Sequence, residues 1–210
     1  MNPKITSIIF DLGGVFLDIS FARTRDAFIK SGVLNFDEYF QQSHSNPLFA
    51  NLEKGLITPA EFYNIFRSDT RLVLPDETIK SNWNALLGSF RAQSLAILPQ
   101  LKEKYDLFLF SNTNLIHYDA FIESFEKQFG FAGFNNYFNK AYYSHTMNLR
   151  KPDPESFLFI INENNLLPGQ TLFVDDTFVN IAGAETAGLQ TLWLQDGMLL
   201  ENALPARLGI

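Results

Sequence analysis

Five short, mostly apolar runs recur along the chain, at residues 5–10, 107–110, 141–143, 172–174 and 191–194. Runs such as Leu107-Phe108-Leu109-Phe110 show no alternation of apolar and polar positions. That pattern predicts strands covered on both faces, as in a parallel sheet. Between the later runs the apolar period lengthens to three or four residues. Leu115, Tyr118, Ile122, Phe125 and Phe129 mark one helix. A second opens at Asp153-Pro154 with Phe157, Ile160 and Ile161 inward, and a third runs from Phe178 to a left-handed stop at Gly188. Strands alternating with helices imply right-handed crossovers and an α/β class: a doubly wound, Rossmann-like parallel sheet.

Residues 20–91 read differently, with helical patterns and no strand. Phe21, Phe28 and Ile29 mark a first helix. Thr58-Pro59-Ala60-Glu61 is a capping box with Pro at the first helical position, followed by Phe62, Ile65 and Phe66 as an apolar stripe. Ile79, Trp83, Leu86 and Leu87 give the next helix its stripe. The expected organisation is a core of residues 1–17 and 92–210 with a small helical cap domain, residues 18–91, inserted after the first strand.

Composition narrows the function classes. Against 16 Lys and Arg stand 23 Asp and Glu, a net charge of −7, and no basic cluster invites a nucleic-acid backbone. A small anion needs only local positive groups and backbone N–H donors, so it stays open. The absence of Cys excludes disulfide and thiolate chemistry and fits a reducing compartment. No run approaches the roughly 20 apolar residues of a membrane helix, and Asp11 interrupts the first run well short of a signal peptide. A soluble cytoplasmic protein, monomer or dimer, is expected.

Open α/β sheets bind ligands beyond the carboxyl ends of their strands. Asp11-Leu12-Gly13-Gly14 follows the first run, Ser111-Asn112-Thr113-Asn114 the second, and Asp175-Asp176, with Asn180, the fourth; Lys151 stands before Pro152-Asp153-Pro154. Each piece alone has an ordinary explanation as a turn, a cap or a solvated charge. The adjacent carboxylates are the most specific, because they repel at a strand end unless something positive sits there. Brought to one cleft, Asp11 and Asp176 are hard oxygen ligands of the kind Mg²⁺ takes. Ser111 and Lys151 can hold and neutralise phosphoryl oxygens. A carboxylate aimed at phosphorus can act as the nucleophile.

On these residues the chain resembles the haloacid dehalogenase superfamily over nearly its whole length. Residues 8–15, centred on Asp11, resemble its first motif; Phe110-Ser111-Asn112 the second; Lys151 the third; and Val174-Asp175-Asp176 with Asn180 the fourth. The resemblance implies Asp11 as nucleophile and Asp176 as direct metal ligand. It also implies the Gly13 carbonyl as a further ligand, Asp175 on metal-bound water or holding the loop, and Asn180 in support. Asn112 is the expected substrate contact beside catalytic Ser111 and Lys151. The implied activity is a Mg²⁺-dependent phosphatase of a small phosphorylated metabolite, as in sugar-phosphate phosphatases of the superfamily with an Asp-Leu-Gly first motif.

One position departs from the pattern. Phosphatases and mutases of the superfamily usually carry a second Asp two residues after the nucleophile, and here Gly13 stands there. Loss of a general acid or base costs ~10²–10⁴-fold in rate, which argues against a mutase. Asp18 is the candidate substitute; its ordinary role would be to cap the next helix. Two rival readings remain: a metal-independent 2-haloacid dehalogenase, whose halide needs no proton, and a weakly catalytic binder of a phosphorylated metabolite. Metal-dependent turnover separates the three. Arg23, Arg25 and His44 are candidate specificity contacts, Arg23 the foremost, while His117 and His145 lack any triad or zinc pattern.

Overall fold

The computed structural model describes residues 4–39, 47–131 and 133–210. Its elements, in chain order, begin with β1 (Ser7–Phe10), β2 (Leu17–Ile19), α1 (Phe21–Lys30), α2 (Phe36–Tyr39), α3 (Pro47–Glu53), α4 (Pro59–Thr70), α5 (Asp76–Asn84) and β3 (Leu87–Phe90). There follow α6 (Ala92–Ala96), α7 (Leu98–Lys102), β4 (Asp106–Ser111), α8 (Leu115–Phe129), β5 (Lys140–Tyr143), α9 (Ser144–Met147) and α10 (Pro154–Glu163). β6 (Thr171–Asp175), α11 (Phe178–Thr186), β7 (Gln190–Trp193) and α12 (Leu200–Leu208) complete the chain.

The five predicted strands form one parallel sheet in the order β5-β4-β1-β6-β7. Ile8 lies beside Leu107 and Leu172, and Ile9 beside Phe108 and Phe173. Successive side chains point to opposite faces, so the two rows enter different cores. Ile8, Phe10, Leu109 and Val174 pack with Leu98, Phe121 and Leu204, while Ile9, Phe110 and Phe173 pack with Phe157, Ile160 and Ile181. Burial on both sides explains the uninterrupted apolar runs.

The helices of residues 21–84 enclose a third core of their own, built on Phe28, Phe36, Phe49, Phe62, Phe66 and Trp83. Phe28 and Phe36 stack at 4.6 Å and Phe49 lies over Trp83 at 5.1 Å. Each fully buried ring of this kind contributes about 1.5–3 kcal/mol through burial. The Thr58 box forms as predicted, with the Thr58 hydroxyl accepting from the Glu61 amide and the Glu61 carboxylate accepting from the Thr58 amide. Ile65 faces solvent and Tyr63 takes its place on the buried stripe. Core residue Ile116 joins this cluster, so α8 packs on both bodies.

Two expectations are corrected. The insert is not strand-free: β2 and β3 pair antiparallel and form the double connection between insert and sheet. Leu86 and Leu87 therefore do not continue the helix, which ends at Asn84; they lead into β3. Leu87-Gly88-Ser89-Phe90 has one neighbouring strand and a single buried residue, Phe90, so no period-2 signal marks it. A boundary at residue 17/18 would also cut β2. No helix among the described residues is long and apolar enough to cross a membrane.

Candidate active site

Parallel strands deliver Asp11, Ser111 and Asp175 to the same edge of the sheet, as the residues after or ending β1, β4 and β6. The Asp11 amide donates to the Val174 carbonyl at 2.9 Å, which continues the ladder one residue past β1 and fixes the carboxylate beside Asp175. Lys151 is almost fully buried and reaches between the two. Its Nζ lies 2.7 Å from Asp11 Oδ1 and 2.8 Å from Asp175 Oδ2, above the rings of Phe110 and Phe173. Burial disfavours the ammonium, but both carboxylates hold its pKa above the ordinary value.

Asp175 has no solvent exposure and its oxygens are filled from the protein. Oδ2 accepts from Lys151 and from Asn180 Nδ2 at 3.0 Å, and Oδ1 accepts from the Thr177 amide at 2.7 Å. It is placed to hold the loop, as Asn180 is placed to support it. Asp176 is the freer carboxylate, with Oδ1 accepting from the Thr177 hydroxyl at 3.1 Å. Gly14, at φ +70°, passes so close that a Cβ there would lie 1.8 Å from Asp176 Oδ2. Only glycine meets both demands.

Oxygens of Asp11, Asp175 and Asp176, one from each, lie within 4.8 Å of one another. Three carboxylates share one buried lysine, which leaves negative charge uncompensated. Burial pushes the Asp11 carboxyl up to about 7; Lys151 pulls it down and Asp175 and Asp176 push it further up. Asp176 is raised by burial and by Asp175. A hard divalent cation fits this oxygen donor set and would supply the missing positive charge.

These groups open onto a cavity of about 430 Å³ between sheet and insert. Asp11, Gly13, Ser111, Asn112, Lys151, Asp176 and Asn180 all line it, so the structure brings the predicted motifs together. Asn112, however, is engaged: its amide donates to the Lys151 carbonyl and accepts from the Lys151 amide, both at 2.9 Å. These bonds position the lysine and use one of the amide's two donors and one of its two acceptor positions. Gly13 brings no acid, and a Cβ there would meet Ile19 Cδ1 at 3.0 Å, so a side chain at this position needs that methyl to give by a few tenths of an ångström.

Of the other polar candidates, His117 lines the cavity, while Asp18, Arg23, Arg25 and His145 are absent from its described lining. Asp18 pairs with Arg91 at 2.7 Å, and Arg91 also donates to the Gly14 carbonyl. The Arg23 guanidinium donates to the Leu86 carbonyl at 3.1 Å and is absent from the described cavity lining; Arg25 pairs with Asp26 on the surface. His44 lies outside the described residues. His117 is buried, stacked on Trp83 at 4.9 Å with Nδ1 2.9 Å from Asn84 Oδ1, and burial lowers its pKa to about 3. His145 is partly buried and its pKa is lowered by burial.

Among the lining residues, Glu53 and Arg150 had been given no role from the sequence, and Trp83 only a place on an apolar helix stripe. Arg150 Nη2 lies 3.0 Å from Glu53 Oε2, a pair joining α3 to the segment before Lys151. Burial raises the Glu53 carboxyl while Arg150 lowers it. Pairing across the insert–core boundary is invisible to local pattern; the Arg-Lys-Pro sequence was the nearest clue.

Comparison with known proteins gives consistent results. The family model for haloacid dehalogenase-like hydrolases matches residues 5–188. A D-ribitol-5-phosphate phosphatase of Bacteroides thetaiotaomicron is 32% identical over 197 residues, covering 92% of this chain and 93% of that protein. A sesquiterpene phosphatase of Aspergillus oryzae is 25% identical over 201 residues, covering 94% of each. The crystal structure of a Bacteroides thetaiotaomicron enzyme variant of the same family, in complex with magnesium and inorganic phosphate, superposes with a TM-score of 0.86. It is 33% identical, over 92% of this chain and 95% of that one.

Proposed function

The chain belongs to the haloacid dehalogenase-like hydrolases, and from that premise we propose that it is a Mg²⁺-dependent phosphatase of small phosphorylated metabolites, working through a phosphorylated Asp11. The observation that carries the reading is Lys151 Nζ held 2.7 Å from Asp11 and 2.8 Å from Asp175, with an Asp176 oxygen within 4.8 Å of both carboxylates. A metal-independent dehalogenase has no use for the Asp175–Asp176 pair, and a passive binder has little use for a carboxylate placed to attack phosphorus.

Asp11 attacks phosphorus through one carboxylate oxygen, and the bond from phosphorus to the leaving oxygen breaks. The leaving group takes its proton from water, since position 13 carries no acid. A water molecule then attacks the aspartyl-phosphate, releasing inorganic phosphate and a proton and restoring the Asp11 carboxylate. Lys151 and the Ser111 hydroxyl neutralise and orient the phosphoryl oxygens. Asp11, Asp176 and the Gly13 carbonyl would hold Mg²⁺, with Asp175 organising the loop behind them. When bound, the ion offsets the charge that accumulates on the phosphoryl group. Asn112 keeps Lys151 in place, and residues 18–91 close the site as a cap. The enzyme acts in the cytoplasm.

Hydrolysis of p-nitrophenyl phosphate tests this directly. Wild type is expected to turn over with Mg²⁺ and not with EDTA, and Asp11→Asn to lose activity while keeping its thermal midpoint. Turnover that persists in both cases, or release of chloride from 2-chloropropionate without metal, would overturn the reading.

A further inference from the structure

We infer that Glu53 and Arg150 form a hydroxyl-recognition pair that selects a neutral, polyhydroxylated leaving group, a sugar or polyol phosphate, over an alkyl one. The inference rests on the phosphatase reading and adds to it a substrate class and two specificity residues.

Both side chains line the cavity shared with Asp11 and Lys151. Glu53 closes α3, and Arg150 immediately precedes Lys151, so the pair faces the cavity from the insert and from the core at once. Their ion pair, at 3.0 Å, uses little of their capacity. The side chains keep 14% (Arg150) and 26% (Glu53) of their exposure, so part of each stays open where it lines the cavity. A guanidinium carries five N–H donors and a carboxylate about four acceptor positions. Once a substrate displaces the cavity water, charged groups with these valences open are costly unless the substrate itself fills them.

The remaining wall on the insert side is apolar and aromatic, including Phe49, Trp83, Leu86 and Leu87, with Phe121 of α8 beside it. An alkyl chain would satisfy that wall, but it would seal the ion pair away from water with nothing to bond. A carbon chain bearing hydroxyls satisfies both surfaces. Its O–H groups donate to Glu53, its oxygens accept from Arg150, and its C–H faces rest on the rings. Charge argues against an acidic leaving group, because Glu53 balances Arg150 and would repel a second phosphate or a carboxylate.

The pair is not needed as a strap between insert and core. Asn148 Nδ2 already donates to the Lys54 carbonyl at 2.7 Å. Gly55 packs so tightly on the His145 carbonyl that a Cβ there would meet its oxygen at 2.1 Å. Neutral contacts hold the same junction one residue away.

The test compares kcat/KM for a pentitol phosphate with that for n-pentyl phosphate, alkyl esters of equal chain length. Wild type is expected to favour the pentitol ester at least ~100-fold, since a site built to hydrogen-bond hydroxyls rejects the analogue lacking them. Glu53→Gln and Arg150→Gln should each lower that ratio ~10-fold or more, mainly through KM. Because single variants leave one buried charge unpaired, the double variant Glu53→Leu/Arg150→Met is made as well. Replacing a buried ion pair by apolar side chains is often neutral for folding, and here the ratio should collapse to within ~3-fold of one. Asn148→Gly, which suits φ +58° and removes only the neutral strap, should keep the wild-type ratio. Wild type without a preference, a double variant that retains it, or Asn148→Gly lowering it as strongly would each overturn the inference. Failure of the phosphatase reading is distinct, because wild type would then cleave neither ester nor p-nitrophenyl phosphate.

Discussion

Gly14→Ala separates the geometric claim about Asp176 from general damage to the loop. Two costs follow from the structure. The first is backbone strain: position 14 sits at φ +70°, and an L-residue there loses roughly 1–2 kcal/mol relative to glycine. For a chain of this size that lowers the thermal midpoint by about 2–8 °C. The second is steric and local. The new Cβ would lie 1.8 Å from Asp176 Oδ2, and ordinary contact begins at 3.4 Å, so the carboxylate must retreat by about 1.6 Å. Mg²⁺ takes ligands at 2.0–2.1 Å in near-octahedral geometry, so a shift of that size removes Asp176 from the set. Disturbing even a group behind the direct ligands costs ~10–100-fold in metal affinity, and losing a direct one should cost at least that. The assay is Mg²⁺ titration of p-nitrophenyl phosphate turnover, with thermal melts in EDTA alongside. The expected result is a half-activating Mg²⁺ concentration raised at least ~10-fold, with a modest loss of midpoint. A variant that loses the expected midpoint yet needs no more Mg²⁺ than wild type would refute the placement of Asp176 as the ligand that Gly14 makes room for.

Two further predictions concern protons. Asp11 carries its proton up to about pH 7 in the metal-free protein, against 3.8 for the free side chain. The folded state therefore binds the extra proton between those values, metal-free stability falls as pH rises through that window, and Mg²⁺ must displace the proton below pH 7. The rise in thermal midpoint caused by saturating Mg²⁺ should be larger at pH 8 than at pH 6 by about 3 °C or more; equal shifts would contradict it. His117, held neutral down to about pH 3 against 6.5 unfolded, contributes stability that is intact above pH 6.5 and lost as pH falls below it. His117→Phe, which can keep the stack on Trp83, should lose about 2 kcal/mol less than wild type between pH 7 and pH 5 in urea unfolding; parallel losses would remove His117 from the acid response.

What the chain's pattern disclosed, and what it concealed, divides by the range of the interaction. The central strands β1, β4 and β6 were legible because each is buried on both faces, which forces an apolar run with no alternation; the edge strands β5 and β7 are only partly buried and carry shorter runs. Asp11, Lys151, Asp175 and Asp176 were legible because they stand at or beside the ends of such elements, where a parallel sheet must converge. β3 was missed for the opposite reason: it pairs with β2 alone and buries only Phe90, so nothing in Leu-Gly-Ser-Phe enforces a period. Asn112 was assigned to the ligand because an amide at a strand end serves ligand or backbone equally well. Only the approach of residue 151 across the sheet edge reveals its backbone role. Arg23 looked like a specificity contact from its place after the first motif, yet the Leu86 carbonyl beside β3 takes its guanidinium.

The residues whose place in the cavity went unread share one property: each acquires that role only when the insert meets the core. Glu53 ends a helix of one body and Arg150 precedes the lysine of the other. Trp83 of α5 stacks on His117 of α8 across the same seam. Chemistry at phosphorus depends on short, local arrangements that a sheet repeats in every such chain, and so it leaves motifs. Recognition of the leaving group depends on where two separately packed cores touch, and a substitution in either one can change it without altering the local pattern. A selectivity assay on Glu53 and Arg150 therefore probes a part of the function that strand-end motifs do not encode, while the variants at Asp11 and Gly14 probe the part that they do.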